Sequence, residues 1–226
     1  MKRFAPEGSD PFAISSFDTS DQPAVEPSTR FVKRAFDVSA AIILLILLSP
    51  VLLVIAVAVR LDSPGPILFR QPRHGLGGQT ITVSKFRTMR TDQTDRSGAK
   101  QATQGDARVT KVGQFLRRTC LDELPQLWDV LAGKMSLVGP RPHPLGMEVE
   151  GVPFTQIAPG SQLRLRVRPG LTGLAQVSGN RGPVHDFEMA RARVAYDNKY
   201  IDRWSFWLDV RILLRTVTLP FKKGCY

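Results

Sequence analysis

The sequence predicts an α/β protein, mostly helical with a small sheet. An N-terminal membrane helix–break–helix leads into a compact cytoplasmic domain edged by interfacial amphipathic helices. Three observations carry this reading. Val38 to Val59 is an apolar run of 22 residues without a charge, roughly 33 Å as a helix and long enough to cross a bilayer. Ile67-Leu68-Phe69 and Thr80-Ile81-Thr82-Val83 read as short strands around a glycine-rich loop, Gly75 to Gly78. Apolar residues then recur at helical spacing through the second half and end in a basic amphipathic segment.

The chain has 226 residues and a net charge of +11. Residues 1–30 hold three cations against five carboxylates, a net −2 that leaves +13 for residues 31–226. The first thirty residues are rich in Ser, Pro and Asp without apolar period, and read as a disordered tail with no export signal. Two cysteines, Cys120 and Cys225, exclude a disulfide framework and a four-cysteine zinc site. His74, His143 and His185 are too far apart to form a metal-binding pair. The positive charge fits nucleic acid, a phosphorylated small molecule or an anionic membrane surface.

The apolar run is basic at both ends, with Lys33 and Arg34 before it and Arg60, Arg70 and Arg73 after it. Positive charge marks cytoplasmic ends, so both flanks claim the same side. Ser49-Pro50 lies near the midpoint. Proline removes a backbone donor and kinks or breaks the helix, and the Ser hydroxyl can bond a freed carbonyl. A helix broken at mid-depth enters and leaves by one face; a kinked spanning helix is the alternative. Asp37 suits the helix N-cap. The chain therefore divides into a tail (1–30), a re-entrant membrane helix (31–62) and a cytoplasmic domain (63–226).

Asp62-Ser63-Pro64-Gly65-Pro66 is a turn cluster that opens the domain. The glycine loop lacks the spacing of a P-loop or dinucleotide fingerprint. Lys85-Phe86-Arg87-Thr88-Met89-Arg90 groups three cations beside a strand, an ordinary solvated face that would also suit a phosphate. Residues 91–107 read as a long loop or lid.

Leu121, Leu124, Leu127, Trp128 and Leu131 recur at helical spacing. Pro125 fits only a first turn, so a helix should begin near Asp122. That sets two carboxylates, Asp122 and Glu123, at a helix N-terminus with Arg117 and Arg118 upstream. An acidic first turn is the plain reading. The sharper one is phosphoryl transfer, in which one carboxylate attacks phosphorus, the other holds a divalent ion and arginines steady the phosphate.

Leu121-Asp122-Glu123-Leu124-Pro125-Gln126-Leu127, followed by Gly133-Lys134-Met135-Ser136-Leu137-Val138-Gly139-Pro140-Arg141-Pro142, resembles the bacterial sugar transferase family, the monotopic polyprenyl-phosphate phosphoglycosyl transferases. Further blocks match in order: Lys33-Arg34 with Asp37, Ser49-Pro50, Lys85 to Met89, Arg168 to Val177 and Ser205 to Asp209. The resemblance runs from about residue 31 to the C-terminus. It implies transfer of a sugar-1-phosphate, a hexose-1-phosphate by our reading, from a UDP-sugar to undecaprenyl phosphate with release of UMP. That is the first step of exopolysaccharide or other glycoconjugate assembly. It implies Asp122 as nucleophile, Mg2+ held by Glu123 with Asp122, Arg117 on phosphate and Pro140-Arg141-Pro142 on the nucleotide. It also implies that Ser49-Pro50 makes the membrane helix re-entrant. Lys85, Arg87, Arg168 and Arg181 complete the expected phosphate and nucleotide set. Asp129, Lys134, Cys120 and the displaced Arg181 depart from the family pattern and leave the dyad intact.

Arg164, Arg166 and Arg168 alternate with apolar residues and suggest a strand with one basic face. Residues 186–200 read as a helix. Trp204 to Arg215 reads as a basic amphipathic helix for the membrane interface, and Lys222-Lys223 adds attraction to anionic lipid. The expected location is the bacterial inner membrane with the catalytic domain on its cytoplasmic face. Expected partners are membrane lipid, downstream glycosyltransferases and, as an option, a second copy, with no nucleic acid because no binding motif or stacking pattern is present. The competing reading is a catalytically inactive membrane-tethered scaffold or anionic-ligand binding module.

Overall fold

A computed structural model of the chain describes residues 31–91, 105–158 and 160–223. The expected tail over 1–30, most of the loop expected over 91–107 and the side chains of Lys222-Lys223 lie outside that description.

The first helix, α1 (Phe31–Asp62), contains the apolar run and has Pro50 inside it. Two helices separated by a break were expected, but the helix is continuous. The reason is local. Proline deprives the Ile46 carbonyl of its usual i+4 donor, and Ser49 Oγ donates to that carbonyl at 2.8 Å. Among the described residues α1 is the one helix long and apolar enough to cross a membrane. Its buried positions, Lys33, Asp37, Ala41, Leu45, Ile55 and Val59, form a stripe on the rest of the molecule. Ile43, Ile46, Leu47, Leu53 and Val54 point away, exposed.

The expected strands form a hairpin, β1 (Leu68–His74) antiparallel to β2 (Thr80–Phe86), with Phe69 opposite Lys85 and Arg73 opposite Ile81. The helices α2 (Lys111–Thr119) and α3 (Gln126–Leu131) follow. Next, β3 (Ser136–Val138) pairs in parallel with β6 (Gly170–Thr172), enclosing a small hairpin of β4 (Glu148–Val149) and β5 (Val152–Pro153). The expected basic strand is instead a 3₁₀ turn, Leu163–Arg166, with Arg164 buried. The short α4 (Leu174–Val177), then α5 (Phe187–Asp202) and α6 (Phe206–Lys223) complete the order. Asp186 caps α5, accepting from Met189 N at 2.7 Å, which fixes the expected helix start.

Ala41 and Leu45 of α1 share one core with Val83, Leu127, Leu137, Tyr200 and Ile212. Ile55 and Val59 share another with Phe86 and Leu116. Both ends of α1 therefore dock on the same body. At the first end Lys33 Nζ donates to Asp209 Oδ2 (2.7 Å) and the Val138 carbonyl (3.1 Å). Asp37 accepts from Ser136 Oγ (2.7 Å) and Leu137 N (3.1 Å), so it holds β3 rather than capping α1. At the far end Asp62 Oδ2 accepts from Val112 N at 3.2 Å.

Candidate active site

The dyad lies on a 3₁₀ turn, Leu121–Glu123, and α3 starts only at Gln126 with Pro125 as N-cap. A helix beginning near Asp122 was expected. Cys120 explains the difference. It ends α2 at φ 59°, a left-handed conformation that stops one helix and redirects the chain before the next begins. Upstream, Thr110 caps α2 by accepting from Gly113 N at 3.0 Å. A Cβ on Gly113 would sit 2.2 Å from the Thr88 carbonyl oxygen, so glycine lets α2 lie tight on the chain after β2. One turn later Arg117 Nε donates to Thr88 Oγ1 at 2.8 Å.

Glu123 is held from two sides. Its Oε1 accepts from Lys85 Nζ at 2.6 Å and from Arg141 Nη2, and its Oε2 accepts from Arg141 Nη1 at 3.0 Å. This is the bidentate fork that guanidinium makes with carboxylate. Lys85 is steadied through its neighbour, because Ser84 N donates to Asp129 Oδ2 at 2.8 Å. Asp122 is treated differently. It is buried, and Lys85 Nζ at 3.8 Å is its one ion pair among the described residues.

The electrostatics follow from that asymmetry. Burial raises the Asp122 carboxyl above the ordinary range, with Lys85 opposing and Glu123 adding to the rise. Burial also works against ionised Glu123, but Arg141 and Lys85 outweigh it and hold that carboxyl well below the usual range. Burial lowers Lys85, opposed by the two carboxylates. Burial opposes the charge on Arg141 as well, yet Glu123 holds it above its ordinary value.

Arg141 is positioned by backbone-to-backbone packing. A Cβ on Gly139 would come within 2.6 Å of the Arg168 carbonyl, and one on Gly170 within 2.1 Å of Gly139 N. Gly170 N donates to the Pro140 carbonyl at 2.8 Å. The Gly-Pro-Arg-Pro and Arg-Pro-Gly blocks, far apart in the chain, are thus one structural unit. Arg164 Nη2 donates to the Arg141 carbonyl (2.6 Å) and pairs with Asp197 of α5 (2.8 Å). The ring of His143 stacks on Phe154 with centroids 4.0 Å apart. Burial, then Arg164, lower that imidazole well below its ordinary value, so His143 is neutral at pH 7.

Of the expected site residues, Asp122, Glu123, Lys85 and Arg141 converge, with Pro140 and Pro142 framing Arg141. Arg117 lies near enough for its charge to favour ionised Asp122. Three others are not brought to the dyad. Arg87 is a clamp on the end of α1, donating to the carbonyls of Val59 (3.0 Å), Ser63 (2.5 Å) and Pro64 (2.7 Å). Arg168 Nε donates to the Gly133 carbonyl at 3.0 Å. Arg181 Nη1 reaches the Leu219 carbonyl at 3.2 Å. In each case main-chain carbonyls at element ends take up the guanidinium.

Sequence reading missed Arg73, Arg164 and Asp197 at the site. Arg73 was read as a membrane flank. It donates to the Pro142 carbonyl (2.5 Å) and Gln71 Oε1 (2.7 Å). Burial and then Arg141 lower it to about 10, while both dyad carboxylates favour its charge. The signal was present, because opposed residues in a hairpin share a face and the face repeats every second residue. Phe69 opposite Lys85 and Arg73 opposite Ile81 put Arg73 and Lys85 on one face.

Two carboxylates among Lys85, Arg73, Arg117 and Arg141 suit a site that handles phosphate anions. Among the described residues no three His, Cys, Asp or Glu side chains converge on one metal position. The pair does fit Mg2+, which binds through one or two carboxylates and completes its shell with water and substrate phosphates. Asp122, with no hydrogen-bonded cation among the described residues, has oxygen to offer.

Comparison with known proteins gives this class its family. The bacterial sugar transferase family model matches residues 28–223. A UDP-glucose:undecaprenyl-phosphate glucose-1-phosphate transferase of Escherichia coli K12 is 50% identical over 198 residues, covering 87% of this chain and 42% of that protein. The exopolysaccharide production protein PSS of Rhizobium leguminosarum is 47% identical over 193 residues, covering 85% of this chain and 96% of that one. A Caulobacter vibrioides protein named like the first is 50% identical over 185 residues, covering 82% and 68%. The chain belongs to the bacterial sugar transferase family. It spans under half the length of the E. coli relative and nearly all of the Rhizobium one.

Proposed function

We propose that this chain moves a hexose-1-phosphate from a UDP-sugar to undecaprenyl phosphate in exopolysaccharide assembly. The observation that carries it is the asymmetric dyad: Glu123 tied down by Arg141 and Lys85, and beside it a buried Asp122 with one cation at 3.8 Å. The glucose-1-phosphate transferase names of relatives support the hexose.

In the first step an Asp122 carboxylate oxygen attacks the sugar-bearing phosphorus. The bond from that phosphorus to the bridging oxygen breaks, and UMP leaves with the electron pair. In the second step a phosphate oxygen of the polyprenyl phosphate attacks the same phosphorus. The acyl-phosphate bond breaks and Asp122 returns as carboxylate. A poorly solvated carboxylate is a stronger nucleophile than a hydrated one, at the cost of a raised pKa. Arg141, Arg73, Lys85 and Arg117 offset the charge of the approaching diphosphate, which would otherwise repel Asp122. Bound Mg2+, held by Glu123 and Asp122, supplies further charge neutralisation on the diphosphate.

We read residues 31–62 as the membrane element, entering and leaving by the cytoplasmic face, and residues 63–226 as the catalytic domain. Docking of both ends of α1 on one body supports this, since a span would carry one end across the bilayer. The exposed apolar residues of α6 support an interfacial position for that helix. Purified protein with Mg2+ should turn over UDP-glucose to UMP repeatedly only when polyprenyl phosphate is present, and should release no more than about one equivalent of UMP per enzyme without it. Mass spectrometry of the trapped intermediate should find the phosphosugar on Asp122; an adduct elsewhere, or full turnover by Asp122→Asn, would end the covalent reading.

A further inference from the structure

A second basic site lies outside the dyad, where α5 hands over to α6. A cavity of about 210 Å³ there is lined by Leu174, Lys199, Arg203, Trp207, Leu208 and Arg211, with Ser205 at its edge. Asp202, next to Arg203, is exposed; partial burial raises its carboxyl above the ordinary value, with Arg166 and Arg203 opposing. Asp209 is buried and committed to Lys33. The cavity is thus lined by cations, Arg203 and Arg211 among them, that none of the chemistry above uses.

Its surroundings are apolar and face outward. Trp207 is 73% exposed, and Leu214 and Val217 are exposed on the same helix. Positions 207, 214 and 217 fall on one face of α6, and Arg211 falls between the first two on that face. Phe206 packs edge-on against Phe36 of α1 with centroids 5.1 Å apart. The cavity thus sits beside the end of α1 where Phe31 and Val32 are exposed. Cations at a pocket mouth, a tryptophan beside them and an apolar face alongside are what the headgroup level of a bilayer rewards.

We infer that this cavity binds the phosphate of an anionic glycerophospholipid from the surrounding leaflet. Arg203 and Arg211 take the phosphate, while Trp207, Leu214 and Val217 lie against its acyl chains. The inference rests on reading α1 as membrane-embedded. It makes the site a fixed point that sets the height and rotation of the domain on the membrane, separate from the acceptor lipid's route to Asp122.

The test uses the full chain carrying Trp128→Phe, which leaves Trp204 and Trp207, both at this end of the molecule, as reporters. In nanodiscs, brominated phosphatidylglycerol should quench their fluorescence more than brominated phosphatidylcholine at equal mole fraction. Each cation at such a surface contributes about a fivefold preference, so Arg203→Gln with Arg211→Gln should bring the two lipids to parity. Arg203→Lys with Arg211→Lys should keep the preference. Equal quenching in the starting chain, or a preference that survives the glutamine pair, overturns the inference. So does its removal by unlabelled polyprenyl phosphate, which would make the cavity an acceptor site. UMP release in detergent, measured on the same preparations, should be unchanged by the glutamine pair. That assay reports the Asp122 chemistry by itself, so loss of either reading is told apart from loss of the other.

Discussion

Two regions of this molecule bury ionised groups, and they treat them in opposite ways. At the base of α1, Asp209 is fully served: Lys33 at 2.7 Å and Trp204 Nε1 at 3.1 Å on one oxygen, and the Tyr200 hydroxyl 2.9 Å from the other. Lys33 also reaches the Val138 carbonyl. At the dyad, Glu123 receives the same full treatment from Arg141 and Lys85, but Asp122 does not. The first region uses buried charge to fix a helix in place. The second leaves one charge under-served, and that residue, Asp122, is the one we propose as nucleophile. A buried charge with every partner in place is difficult to perturb; one held back from its partners is high in energy and ready to react.

Replacing Asp122 is the strongest way to sharpen this contrast. Asp122→Asn should reduce UMP release to background while leaving the folded protein as stable as before, or more so. The sign follows from the raised pKa. A carboxyl whose folded value lies above its unfolded value is destabilising when ionised, and that penalty is absent below the unfolded value of about 3.9. Any gain in melting temperature should therefore be present at pH 7 and vanish as the pH falls to about 4. Formation of the covalent adduct in a single turnover should show an acid limb above the ordinary aspartate range. A limb at or below about 4 would break the contrast.

The fully served region should respond the other way. Lys33→Met leaves Asp209 buried without its cation, a loss of about 3–5 kcal/mol and roughly 10 °C in melting temperature for a chain of this size. The chemistry of protein that remains folded should be little changed. A fall in turnover with no loss of stability would erase the distinction between the regions.

Asp197→Asn tests a link between the two. It loosens Arg164, which holds the carbonyl of Arg141. The expected result is a KM for UDP-sugar raised about tenfold with kcat within about threefold, the pattern of lost substrate positioning. Equal losses in both would assign the pair to structure alone. The smallest effect is expected at Arg181, which contacts the Leu219 carbonyl away from the dyad. Arg181→Gln should change kcat/KM by no more than about twofold.

Much of this arrangement was legible in the sequence because it rests on periodicity and punctuation. The apolar helix, the hairpin around Gly75 to Gly78 and the helix that begins after Asp186 all announce themselves locally. The turn under the dyad did not, because it depends on Cys120 adopting a left-handed conformation that cysteine seldom takes. Arg164 to Arg168 alternates with the period of a strand, yet Arg164 is drawn inward by Asp197, a partner more than thirty residues away. Arg87 looked like a phosphate ligand because its neighbours are cations; the carbonyls that claim it belong to a helix end that only the fold brings close. Asp122 and Glu123 were marked by Pro125 and helical spacing, Arg141 came through the resemblance, and Arg73 was lost because charge was read without strand parity.

The hydroxyl of Ser49 has a consequence for how α1 chooses its shape. A proline in a lipid-facing helix ordinarily leaves a bare carbonyl that draws in water or bends the helix to find another donor. Here the Ile46 carbonyl is answered from within its own turn. The carbonyl that Pro50 strips of its donor thus needs neither water nor a bend to be satisfied. The proline permits a bend without demanding one. The path of α1 is then set by the anchors at its two ends, Lys33 with Asp209 and Asp62 with Val112, in the body it docks on.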